Sequence, residues 1–401
     1  TTKWQTLAPA ARFFLFRPSD DRQRKRYEKF PALTEIFSEN GPPAPGIVTT
    51  HDEFAISWTA DEARRKVQTF LQTRDEREAR RLWRLCSQSQ WNYERAKKEL
   101  ASGAWRDQVV QVLYRPFDVR WTVMNPNVAV HRRERVMRHM LAGENLALVM
   151  PKRVEQARAW HHVLAARGAA DHVAVSLKTI DYVLPLYLYP DDTARDLFMV
   201  REGPGPRANL NPALVAALAK AHGRAPTPPE AFHYVYAVLH APAYRTKYAE
   251  FLRMDFPRVP FTADAKLFRK LAARGEKLVA LHLLQSPQLD PPACQFEGKG
   301  DGSIRSDRKA GLRYDADTKR VWINATQHFA PVPEEIWSYR VGGYQVCEKW
   351  LKDRRDHRLD LDGIRTYCRI VTALARTLEI QQEIDGLYPD AERDAVAFGA
   401  H

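Results

Sequence analysis

The sequence has 401 residues, and its 62 lysines and arginines outnumber 49 aspartates and glutamates to give a formal net charge of +13. That length supports real cores in two or three domains, and the positive excess favours a polyanionic partner. The 10 tryptophans, 15 tyrosines and 17 phenylalanines argue against a disordered basic tail. The 4 cysteines are scattered with no Cys-x-x-Cys pair, which argues against a zinc site or disulfide framework and points to a reducing cytoplasm. No apolar run reaches the ~20 residues of a helical membrane span, and no signal peptide is visible.

The chain opens Thr1-Thr2-Lys3-Trp4, without methionine, and residues 1–58 read as the tail of another domain, so a piece of a longer polypeptide is expected. Arg12 to Arg17 is a strand candidate, Gly41 to Gly46 a break, and Ile47 to Trp58 a turn between two short strands. Residues 59–104 read as a helical connector: Thr59 and Glu62 form a capping-box pattern, Val67, Phe70 and Leu71 share a face, and the helical reading resumes from Trp83 to Leu100. From Trp105 the pattern turns to α/β, with strands expected over Val109–Tyr114, Asn145–Met150, His172–Ser176 and Tyr182–Tyr189. Asn211-Pro212 and Thr227-Pro-Pro-Glu230 start helices, Gly223 ends one, and Tyr244, Tyr248, Phe251 and Leu252 form a core stripe. Phe261 to Leu284 reads as helix with a break at Gly275. A hairpin is expected around Asp315 to Lys319, closing a region that spans 105–330. Residues 331–401 read as C-terminal and helical, with Ile364, Tyr367, Val371, Leu374 and Leu378 along one side of a long helix. The fold class is α+β, a mixed-sheet domain with a helical connector and a helical C-terminal segment.

The stretch Trp337 to Arg354 combines an aromatic anchor, a hinge at Gly342-Gly343 and a basic amphipathic helix. Val346, Trp350 and Leu351 share its apolar face, and Lys349, Lys352, Arg354 and Arg355 crowd the rest. It suits the docking of a polyanion through Arg340, Tyr344, Lys349 and Lys352. The plainer reading is a buried C-terminal helix with a solvated basic face.

This stretch resembles the C-terminal specificity region of type ISP single-polypeptide restriction–modification enzymes. So do Tyr114-Arg-Pro-Phe-Asp-Val-Arg-Trp121, Tyr234 to Tyr248, and Asp255-Phe-Pro-Arg-Val-Pro260, in the same order. The resemblance runs from near Trp4 to near Asp385. It implies that the chain recognises double-stranded DNA, and that residues 1–58 close an N6-adenine methyltransferase domain. It also implies an upstream translocase and nuclease. AdoMet, ATP and magnesium would belong to those other domains, and no cofactor is expected in this piece.

Catalytic patterns within the chain do not persuade. Asp290-Pro-Pro-Ala293 imitates the Asp-Pro-Pro-aromatic motif of adenine methyltransferases, but Ala293 offers no ring to stack on a flipped base, so it reads as a proline turn. Gly298 to Gly302 neither follows a convincing strand nor opens a helix, which makes it a poor phosphate loop. DNA contact is expected instead on basic loops: Arg132 and Arg133; the strand exit with Lys152 and Arg153, the preferred base readers; Lys178; and a glycine-rich loop with Lys299, Arg305, Arg308 and Lys309. Arg115, Asp118 and Arg120 read as a structural ion pair and turn. A non-specific nucleic-acid clamp and a stand-alone DNA methyltransferase remain as alternative readings.

Overall fold

The computed structural model describes residues 21–154, 159–190, 205–307 and 311–398. The strand candidate at Arg12 to Arg17, and Arg308 and Lys309, lie outside these residues. The fold is α+β, with helices around several small sheets. One antiparallel sheet runs in the order Ala44–Pro45, Asp181–Pro185, Ala147–Pro151, Leu164–Ala166. The break expected at Gly41 to Gly46 thus contributes an edge strand, one of the few places in a sheet that tolerate a proline. A second sheet orders Gln295–Glu297, His328–Ala330, Arg320–Trp322 and Arg313–Asp315. A third pairs Asp118–Val123 with Val109–Arg115, and the latter runs parallel to Ala169–Ala170.

Among the described residues, two apolar clusters hold these elements. The smaller gathers Phe54, Val67, Phe70, Trp83, Trp91 and Tyr93 with neighbours from the connector helices. The larger runs from Tyr27 to Ala391. Its centre is the Pro228–His240 helix, which buries residues on every side, as a helix apolar all round must. The capping box is complete there: the Thr227 hydroxyl accepts from Glu230 N, and the Glu230 carboxylate accepts from Thr227 N. At Thr59 only half of the box forms, because the Glu62 carboxylate takes the Trp58 N–H instead.

The Ala265–His282 helix packs on this central helix without a break. Gly275 serves close approach rather than termination, since a Cβ there would lie 1.8 Å from the His233 carbonyl oxygen. A third helix, Leu361–Asp385, is tied in by polar atoms. The Thr377 hydroxyl donates to Ala373 O and so accepts from His282 Nε2 at 3.0 Å. That leaves His282 Nδ1 to accept from the Tyr236 hydroxyl at 2.6 Å. The imidazole is therefore neutral, and burial holds its pKa down to about 3.

Two further expectations change. The Trp83 to Leu100 helix is interrupted between Glu76–Trp83 and Tyr93–Leu100, where Arg84 turns left-handed and Asn92 caps the second piece. His172 to Ser176 is a loop, not a strand. The Asp181 carboxylate takes the Val175 and Ser176 N–H groups that a neighbouring strand would have accepted.

Candidate nucleic-acid interface

Three segments far apart in sequence converge at one end of the first sheet. The Ala147–Pro151 strand exits into Lys152-Arg153. Beside it, residues 171–181 form a tight loop entering the Asp181–Pro185 strand. The glycine turn between the strands Arg340–Val341 and Tyr344–Gln345 backs that loop.

The loop is stapled from within and without. Asp171 accepts from Arg115 at 3.0 Å and from Val173 N at 3.0 Å. One oxygen of Asp181 accepts from Val175 N at 2.6 Å and from Ser176 N at 3.0 Å. The Thr179 hydroxyl donates to the Arg153 carbonyl at 2.9 Å, so the Ser176 hydroxyl supplies the hydrogen of their 2.7 Å contact. From the glycine turn, Gly343 N donates to Val175 O at 3.1 Å and Gly342 N to His161 O at 2.8 Å. The Tyr344 hydroxyl donates to Val173 O at 2.8 Å. Gly342 has φ +56°, and a Cβ there would sit 2.0 Å from Val175 O, so only glycine permits this approach.

Burial pushes the Asp181 pKa up to about 7 against the pull of its two backbone hydrogen bonds. Burial also lifts Tyr344, to about 12.

The expected contact residues separate into groups. Arg153 and Lys178 are exposed beside each other's loops, and Lys152 is partly exposed with its ammonium 3.7 Å from Asp255. Arg133 is exposed, whereas Arg132 is paired with Glu134 at 2.5 Å. Arg305 is exposed, its backbone joined to Ile323.

The stretch from Trp337 onward turns inward. Tyr344 is buried, with its hydroxyl spent on the loop, so it is corrected from a ligand contact to a strut. Arg340 donates to Gly343 O at 2.8 Å. Lys349 pairs with Asp353 at 2.5 Å and Lys352 with Glu348 at 2.7 Å, both along the helix Val346–Lys352.

Arg115, Asp118 and Arg120 are structural. Asp118 receives two hydrogen bonds from Arg120, at 2.9 and 2.7 Å, and one from Arg354 at 2.8 Å. Arg120 stacks over Trp58 at 3.2 Å and Arg354 over Trp350 at 3.4 Å.

The second sheet carries a partly exposed cationic and aromatic face that the expectations missed. Across its strands, Arg313, Trp322, His328 and Glu297 stand opposite one another on one face, while Tyr314, Val321, Phe329 and Phe296 form the other. Arg313 lies 4.7 Å and Arg320 5.9 Å from the Trp322 ring centre. The signal was present as alternation in Arg313-Tyr314 and Arg320-Val321-Trp322, where period two separates cations and indole from core residues.

Among the described residues no group of three or more His, Cys, Asp or Glu side chains is placed to hold a metal ion, and no helix is long and apolar enough to cross a membrane.

The architecture is thus an α+β domain that presents basic loops on a rigid sheet. Residues 35–383 match the family described as the Type ISP C-terminal specificity domain, and the chain belongs to that family. Among solved structures, the DrdV–DNA complex is similar with a TM-score of 0.70 and 21% identity, over 95% of this chain and 40% of that one. The Type ISP restriction–modification enzyme LlaBIII bound to DNA is similar with a TM-score of 0.68 and 16% identity, over 95% of this chain and 26% of that one. A nuclease-deletion mutant of the Type ISP enzyme LlaGI, in complex with a DNA substrate mimic, gives 0.64 and 17%, over 95% and 30%. At these identities the likeness is one of fold, and the chain spans less than half the length of each of these proteins. No curated protein sequence matches it.

Proposed function

We propose that this chain is the target-recognition part of a larger Type ISP restriction–modification enzyme and binds double-stranded DNA at a specific sequence. The observation that carries the reading is the convergence of the 150–154 exit, the 171–181 loop and the 342–343 turn, in a member of the specificity-domain family. Base reading needs side chains held in register by a rigid support, and phosphate binding needs cations around them. Lys152 and Arg153 are the base readers in this proposal. Lys178, Arg132, Arg133, Arg305, Arg313 and Arg320 are phosphate contacts in this proposal, and Arg308 and Lys309, which lie outside the described residues, are assigned the same role from the sequence. Arg340, Lys349 and Lys352 are further DNA contacts in this proposal, with Lys349 and Lys352 oriented along their helix by Asp353 and Glu348.

Methyl transfer to adenine and DNA cleavage fall to other domains of the same polypeptide, with AdoMet, ATP and magnesium there, in the cytoplasm. Upstream methyltransferase and translocase–nuclease domains are the intramolecular partners. Selection of bound duplexes from a random library by the chain tests the reading. Recovery of one short motif is the expected result. Equal affinity for all duplexes would make the chain a non-specific clamp.

A further inference from the structure

The tip of the 171–181 loop carries two aliphatic side chains that the core does not claim. Leu177 is 49% exposed and Ile180 is 46% exposed, and only Lys178 and Thr179 separate them. Six large hydrophobic residues are exposed among the described residues, and two of the six share this one tip. Apolar surface held out in water is unfavourable by about 25 cal/mol per Å2, so a rigid loop that displays it fits an apolar contact elsewhere. The tip is rigid: Ser176, Thr179 and Asp181 fix its backbone, and Thr179 binds it to Arg153.

Leu177 is also seated from the side. A Cβ on Gly343 would lie 2.6 Å from Leu177 Cγ and 2.7 Å from its Cδ1, so the bare glycine backbone is what makes room for it. One flank of the side chain therefore leans on protein and the other faces out. A side chain with one flank already against protein offers only its outer flank, whereas a wedge inserted between two stacked bases is covered on both sides. It is well suited to lie along base edges.

The neighbouring charges are exposed Lys178 and Arg153 and partly exposed Lys152, which select a polyanion over a lipid interior or an apolar protein face. Within the major groove of a DNA duplex the apolar group on the base edges is the thymine C5 methyl.

We propose that Leu177 and Ile180 are specificity-determining residues that contact thymine methyl groups in the major groove, while Lys178 between them binds the adjoining phosphate. This rests on the DNA-recognition reading above and adds the chemistry by which particular A·T pairs are chosen.

The test starts from the duplex motif selected by the chain and replaces each thymine in turn with deoxyuridine, which removes only the methyl. Binding should weaken about fourfold at one or two thymines, the effect of one methyl-sized apolar group. That penalty should vanish in Leu177→Ala or Ile180→Ala, and persist in Val119→Ala, an exposed aliphatic outside the loop. A motif bound with no loss at any deoxyuridine overturns the methyl contact but leaves sequence-specific recognition standing. So does a Leu177-dependent rise in 2-aminopurine fluorescence without a deoxyuridine penalty, which would mark a wedge. Failure to recover any motif sinks the underlying reading instead.

Discussion

Asp118 and Arg354, 236 positions apart, meet at 2.8 Å in the protein interior, and Arg120 donates to both oxygens of the same carboxylate. The contact joins the Tyr114 to Trp121 motif to the end of the Val346–Lys352 helix. Burial pushes the Asp118 carboxyl up, but the hydrogen bond from Arg120 and the charge of Arg354 outweigh it and hold the pKa below the usual carboxylate range. Removing Asp118 leaves both buried guanidinium groups without their carboxylate. Asp118→Ala should cost about 3–5 kcal/mol in urea unfolding. The stability from this group is present above the unfolded-state pKa of about 4 and is lost as pH falls through the lower folded value. The variant's acid limb should therefore be shallower than that of the parent.

Asp181 predicts the opposite pH slope. Its folded pKa of about 7 lies above the unfolded one, so the native state binds the extra proton between about pH 4 and 7. Stability is greatest below that window and declines as pH rises through it. Asp181→Asn keeps an acceptor for Val175 and Ser176 but cannot ionise. It should remove up to about 1.4 kcal/mol per pH unit of slope from that window, read from urea midpoints at successive pH values.

Gly275 predicts a steric effect. A methyl group there meets the His233 backbone, which cannot swing aside as a side chain could. Gly275→Ala should separate the two helices and destabilise the fold by about 1–3 kcal/mol or more, despite the better helix propensity of alanine. An alanine variant as stable as the parent would contradict this contact.

The loop cations predict two kinds of binding defect. Lys178→Ala should weaken binding to all duplexes alike and reduce the slope of log affinity against log salt by about 1. Arg153→Ala should instead relax one position of the motif, by about 1–3 kcal/mol of discrimination. Titrations of matched and single-mismatch duplexes at several salt concentrations separate the two.

Local chemistry in the sequence reached far into this fold. The proline-led helix starts at Asn211 and Thr227, the Asp315 hairpin and the long terminal helix all follow from short-range rules and stand in the structure. Non-local partners were not legible. Nothing around His172 to Ser176 reveals that Asp181 occupies its N–H groups, and nothing near Gly275 announces the His233 backbone. Tyr344 reads as a polyanion contact because it stands between a glycine turn and a basic helix, but its hydroxyl reaches back 171 residues to Val173. The assembled site shows the same division: the basic loops were visible as segments, whereas their junction through Thr179 and Arg153 is a product of the fold.

The bond from Gly343 to Val175 bears on how such domains are re-engineered. A chimaera that transplants residues 150–181 alone into a relative would separate the graft from its rear buttress. The donor's 337–346 segment has to travel with it, or the recipient must already own a glycine pair and a tyrosine at that spot. Swaps that ignore this pairing should yield folded proteins with blurred sequence preference rather than a new one.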